Sequence, residues 1–169
     1  MVDPAQHADS RNLVESMLRN IPGFRGYLEK EYRRESDDLA REFSAHELQR
    51  CKASLDNYQR TLLDAGQIDS LPLCERVRNH LDTLQSKIRG AVQGYSGFFD
   101  FVRVDNKVLD DVYEHDLAIV EDVRGLFEMM EQLPGPPEAP SQALADVQSR
   151  LDALARRVDE RSQILQGLS

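Results

Sequence analysis

The sequence predicts an all-α protein: an antiparallel three-helix bundle of long helices, followed by a proline-linked, coiled-coil-like helix at the C-terminal end. Three observations carry this. Apolar residues recur at intervals of three and four along most of the 169 residues, the spacing that lines one face of a helix. Charged residues make up 30% and hydrophobic residues 40% of the chain, with no Trp, the balance of amphipathic helices with solvated outer faces. Four prolines fall in the seven residues Pro134-Gly135-Pro136-Pro137-Glu138-Ala139-Pro140, through which no helix continues.

The elements follow in order. Over residues 1–20, Asp3 and Pro4 open a short helix or arm, because Asp caps free amides and Pro at the first helical position loses no hydrogen bond. Leu13, Met17 and Leu18 are its sticky side. It stops at Ile21-Pro22-Gly23-Phe24, where Pro22 drives Ile21 out of the helical region and Gly23 permits a turn. Residues 21–133 form the bundle. Tyr27 to Gly66 reads as about forty helix-forming residues, at ~100° per residue, ending on a glycine suited to a left-handed cap. Its apolar stripe changes face: Leu28, Tyr32, Leu39, Phe43 and His46 share one sector, and Leu48, Cys51, Leu55, Tyr58 and Leu62 another. Ser44-Ala45-His46-Glu47 has the capping-box pattern. Two explanations remain open: a break near Ser44, or one long helix whose halves meet different neighbours.

Ser70-Leu71-Pro72 restarts the chain into a helix lined by Leu73, Val77, Leu81, Leu84, Ile88 and Val92. A third helix, to about Leu133, carries a wide stripe with adjacent apolar pairs, Val112 with Tyr113, Ile119 with Val120 and Leu126 with Phe127, as contact with two neighbours requires. After the linker at 134–140, residues 141–169 form an amphipathic helix that Ser141 can cap. Leu144, Val147, Leu151, Leu154, Val158 and Leu165 make a narrow seam interrupted by Arg161. Such a seam serves either a homo-oligomer, with Leu151 and Leu154 at its centre, or folding back onto its own bundle.

The exclusions concern chemistry. A net charge of −9 repels phosphate backbones, so no nucleic acid is expected as a partner. The excess is uneven: Asp100 to Glu131 holds ten acids against Arg103, Lys107 and Arg124. No apolar run reaches the ~18 to 20 residues that span a bilayer, and residues 1–20 have no signal-peptide centre, so a cytoplasmic location is expected. Cys51 and Cys74 suggest neither a zinc knuckle nor a disulfide framework. Phosphate-binding and dinucleotide glycine motifs do not occur, and His46-Glu47-Leu48-Gln49-Arg50 ends in Arg where a zinc protease needs His. His7, His46, His80 and His115 lie in no nucleophile or base motif. The sequence therefore predicts no catalytic residue and no cofactor. The residual metal candidates are the i,i+4 pairs Glu42 with His46 and Asp111 with His115, since side chains four apart on a helix can share one ion.

Two segments stand out as surfaces. One is Ile21-Pro22-Gly23-Phe24-Arg25-Gly26-Tyr27-Leu28-Glu29-Lys30-Glu31-Tyr32-Arg33-Arg34-Glu35-Ser36-Asp37, a turn feeding a helix of interleaved charges. The other is Gly94-Tyr95-Ser96-Gly97-Phe98-Phe99-Asp100, which concentrates aromatics at one turn, either as plugs at the bundle end or as an exposed patch for a protein or membrane surface. Asp100 and Asp105 argue against insertion among anionic lipids, so membrane contact is at most peripheral. Across residues 21–133 these motifs resemble a group of uncharacterised small bacterial helical proteins. That resemblance implies no activity. It carries a genomic association with band-7 (SPFH) and other envelope-stress proteins, which implies a protein partner of that kind. Phe24, Tyr27, Arg33, Arg34, Tyr95, Phe98, Phe99, Leu151 and Leu154 are the candidate partner-binding residues. The function expected is a non-enzymatic scaffold or adaptor, with a helical metal-binding protein or oxidase, or a peripheral membrane binder, as alternatives.

Overall fold

The computed structural model describes residues 4–27, 30–91, 106–135, 138 and 140–166. Among these, five α-helices account for nearly all the order: α1 (Pro4–Asn20), α2 (Lys30–Asp64), α3 (Leu71–Gly90), α4 (Asn106–Glu131) and α5 (Ser141–Leu165), with one 3-10 turn at Ile68–Ser70. The aromatic turn with Tyr95, Phe98 and Phe99 lies outside the described residues.

The all-α class holds, but the arrangement differs from a three-helix bundle with a tethered fourth helix. α5 folds back and completes a ring in which α2 contacts α3 and α4, and α5 contacts both of them in turn. Side-chain links fix the directions. Arg78 bonds Asp56 while Gln59 bonds Glu75, so α2 and α3 are antiparallel. Arg50 stacks over Phe127 and Tyr58 donates to the Pro134 carbonyl, so α2 and α4 are parallel. Arg157 bonds Asp122 and Arg161 bonds Asp116, so α4 and α5 are antiparallel. The physical reason for the difference is width. The broad stripe of α4 needs two neighbours, α2 supplies one, and the narrow seam of α5 fits the remaining groove between α3 and α4. Leu151 and Leu154 are therefore buried in the chain's own core.

α2 is one continuous helix of 35 residues, about 50 Å long at 1.5 Å per residue. Its stripe jump reflects two cores rather than a break. The second half packs Leu48, Cys51, Leu55 and Leu62 among α3, α4 and α5. The first half borders a separate cluster of Met17, Ile21, Phe24, Tyr27, Val112, Tyr113, Val120 and Leu165. Its inward face, however, is not the apolar one. Arg33, Ser36, Asp37, Ala40, Arg41 and Ser44 are buried, while Tyr32, Leu39 and Phe43 flank them half-buried and His46 points outward. Ser44 is not a cap: its hydroxyl donates to the Ala40 carbonyl at 3.0 Å. Ser44→Ala is accordingly expected to leave stability within about 0.5 kcal/mol of the parent, not the ~0.5 to 2 kcal/mol lost with an N-cap. Urea unfolding of the variant measures this.

The turns obey local chemistry. Ile21 to Phe24 closes through Phe24 N–H to the Ile21 carbonyl at 3.2 Å, with Pro22 leading and Gly23 at φ +85°, as a type II turn requires. α2 ends in a Schellman cap: Gly66 has φ +73°, and Gln67 N–H reaches the Leu62 carbonyl at 2.9 Å. At the start of α5, Ser141 makes no capping bond. Pro140 takes the cap position and its carbonyl accepts Leu144 N–H at 2.9 Å.

Candidate functional site

Between the two cores lies a layer of buried charge. Arg161 of α5 is 6% exposed, yet it sits in the seam where Leu or Val is the rule. Its guanidinium grips Asp116 of α4 through Nε and, at 3.2 Å, through Nη2. The same Nη2 reaches Asp37 of α2 at 2.6 Å. Asp37 in turn accepts from Arg41 Nε at 2.9 Å, and Arg41 extends to the half-exposed Asp38. The Tyr27 hydroxyl donates to Asp116, and Arg33 Nε donates to the Tyr27 carbonyl at 2.5 Å. One chain of charge-assisted bonds thus ties α2, α4, α5 and the 21–27 turn together.

The aromatics of the first motif seal this layer. Phe24 meets Tyr27 edge-on at 5.6 Å, and Tyr27 lies 4.9 Å from Tyr113. The Tyr113 hydroxyl accepts the Tyr27 backbone N–H. Gly26, at φ +87°, passes so close to that hydroxyl that a Cβ would collide with it. A cavity of about 30 Å³ adjoins the ion chain, lined by the small or aliphatic Ala40, Ser44, Ile88, Ala91, Ile119 and Val158. It has room for about two waters at ~10 to 15 Å³ each.

The electrostatics favour fixed charge over proton traffic. Burial lowers the Arg161 pKa, but Asp116 and Asp37 outweigh it and hold the group well above its ordinary value. Burial, reinforced by Asp116, pushes the Tyr27 phenol well above its ordinary 10.0. Burial also pushes the Cys51 thiol up to about 12, with Glu47 adding to it, and raises Cys74. Both thiols are free and buried, so neither is poised as a nucleophile. The phenol and the thiols are therefore protonated in the folded state near neutrality, and Arg161 is charged.

A pH dependence follows from these signs. Tyr27 and Cys51 stay protonated when folded, while unfolded chains ionise above about pH 10 and 9 respectively. Stability is full below about pH 9 and falls as pH rises, by up to ~1.4 kcal/mol per pH unit per group. Urea midpoints measured from about pH 7 to 11 check this. Tyr27→Phe and Cys51→Ala should each flatten part of the decline, and a level profile would contradict it.

The residues singled out from sequence are placed as follows. Phe24 and Tyr27 are buried in the aromatic seal and Arg33 is buried against it, so these three do not form an outer docking surface. Arg34 is exposed. The metal candidates do not converge: Glu42 and His46 face outward on α2, while His115 Nδ1 bonds the Asp111 carbonyl at 2.9 Å and its Nε2 faces Glu160 on α5 at 3.7 Å. Among the described residues no three His, Cys, Asp or Glu side chains group as metal ligands, and no helix is long and apolar enough to cross a membrane. Sequence reasoning missed the ion chain itself. Its signals were present: Arg161 interrupting an apolar seam, Asp116 between the apolar pairs of α4, and Asp37 with Arg41 one helical turn apart. No family model, curated protein or solved structure matches the chain.

Proposed function

We propose that this chain is a non-enzymatic helical scaffold or adaptor, working in the cytoplasm through protein contacts in a bacterial envelope-stress assembly with a band-7 (SPFH) type partner. The observation that supports the reading is how charge is divided on α2. Its inward face commits Asp37 and Arg41 to the ion chain, which α4, α5 and the 21–27 turn complete. Its outward face leaves Glu31, Arg34, Glu35, Asp38 and Glu42 exposed over three turns around the half-buried Leu39. Together they make one shallow, open face of the helix. A helix with such an acid-rich open face suits a basic helical surface on a partner.

The test is crosslinking and affinity capture from the native cell, followed by binding of the purified partner to the parent chain and to Glu31→Lys/Glu35→Lys/Glu42→Lys. These side chains are exposed, so the variant should keep its unfolding midpoint and lose partner binding. Equal binding by parent and variant would overturn the docking face. A captured assembly without any band-7 type protein would overturn the partner assignment.

A further inference from the structure

We infer that the cavity beside the ion chain is a binding site for two ordered waters, which bridge Asp116 back to Arg41 and close the chain of buried charge into a ring. The inference does not depend on the scaffold reading.

The first argument is what borders the cavity. Its wall comes from α2, α3, α4 and α5, and the polar side chains in it are Arg41, Ser44, Asp116, Arg161 and Ser162. Arg41 is 7% exposed, so its guanidinium must find its partners inside the protein. Nε serves Asp37 and Nη2 serves Asp38. Nη1 has only the Arg89 carbonyl at 3.4 Å, beyond the ~2.7 to 3.2 Å usual for such a bond. Three residues on, the buried Ser44 hydroxyl spends its proton on the Ala40 carbonyl, so its oxygen remains an acceptor. Asp116 accepts from Arg161 Nε, Arg161 Nη2 and the Tyr27 hydroxyl, which uses three of the about four lone-pair sites of a carboxylate. An underused donor, a hydroxyl acceptor and a spare carboxylate site thus border one space.

The second argument is what that space admits. A volume of about 30 Å³ takes about two waters at ~10 to 15 Å³ each, and no larger molecule. Asp37 and Asp116 stand against Arg41 and Arg161 one for one, so an added ion would unbalance the layer, whereas water leaves its charge unchanged. Ile88, Ile119 and Val158 offer no hydrogen bond, which confines the waters to the charged end. One accepts from Arg41 Nη1 and donates to Ser44 and to the second water; the second donates to Asp116. Each then has the two or more partners that a buried water needs. Arg41, Asp37, Arg161 and Asp116 become a closed circuit in which each bond polarises the next. In the wall only Ala91 and Ser162 are half-buried, and they mark the side from which the waters exchange with solvent.

The experiment is solution NMR of the full chain with labelled isoleucine and valine methyls, read for magnetisation transfer from water, together with urea unfolding. The parent should show cross-peaks to water at Ile88, Ile119 and Val158, with the sign of long-lived rather than surface water. Val158→Ile adds one carbon to the wall and should displace the waters, so the cross-peaks at Ile88 and Ile119 should be lost. Its urea midpoint should not rise, because the gain from filling is offset by the Arg41 donor left without a partner. In a dry cavity the same carbon would fill a void and raise the midpoint. A raised midpoint would therefore overturn the proposal, as would a parent without the cross-peaks. Cross-peaks that persist unchanged in Val158→Ile would overturn it too, because their source would be the exchanging hydroxyls of Ser44 and Ser162.

Discussion

Arg161→Ala is expected to destabilise the fold by about 3 to 5 kcal/mol, the cost of leaving buried carboxylates without their cation. The size comes from what remains, not from the attraction lost. Asp116 and Asp37 are 3% and 4% exposed, and both lose the guanidinium at once. Asp37 keeps Arg41 and Asp116 keeps the Tyr27 hydroxyl, so neither is wholly bare. The double variant Arg161→Ala/Asp116→Asn should then cost less than the sum of the two single changes by at least ~1 kcal/mol, because the neutral amide no longer needs a cation. Urea unfolding of the four proteins measures both quantities. A loss under about 1 kcal/mol for Arg161→Ala would show that water reaches the cluster and screens it.

Gly26→Ala should cost about 2 to 5 kcal/mol through two separate effects. A left-handed φ penalises any Cβ by roughly 1 to 2 kcal/mol. The added carbon also collides with the Tyr113 hydroxyl, which is fixed by the Tyr27 N–H, and overpacking of this kind costs about 1 to 3 kcal/mol. Tyr113→Phe in the Gly26→Ala background separates them: removing the hydroxyl relieves the collision and leaves the backbone penalty. Equal stability of Gly26→Ala and the parent would mean that the turn relaxes freely, and the aromatic seal would not be rigid.

These positions show what was legible in the sequence. The helices were, because Leu, Val and Ile at three-four spacing constrain the burial of α3, α4 and α5 directly. The Pro22-Gly23 turn and the Gly66 cap were legible because backbone geometry there admits few residues. The inward face of the first half of α2 was not. Hydrophobic periodicity placed Tyr32, Leu39 and Phe43 inside, whereas Arg33, Asp37 and Arg41 are the buried set. A charge is buried only when its partners are, and those partners, Asp116 and Arg161, stand far away in sequence. The same limit hid the fourth side of the bundle. The seam of α5 announced a helical neighbour but could not name it, and Arg161 looked like an interruption until Asp37 and Asp116 were seen opposite. For Phe24 and Tyr27 the motif drew attention to the right residues for the wrong reason, since their aromatic bulk closes the interior.

Asp37 and Arg161 are 124 residues apart, and this separation imposes an order on synthesis. A growing chain presents Asp37 first and Asp116 later, and their shared cation follows both. Until then Asp37 has only Arg41 and Asp116 only the Tyr27 hydroxyl, so closure of α2 and α4 around them is weakened. The charged layer is therefore complete only once α5 has joined α2 and α4, so the interior around these two acids is closed by the helix that stands farthest from Asp37 in sequence.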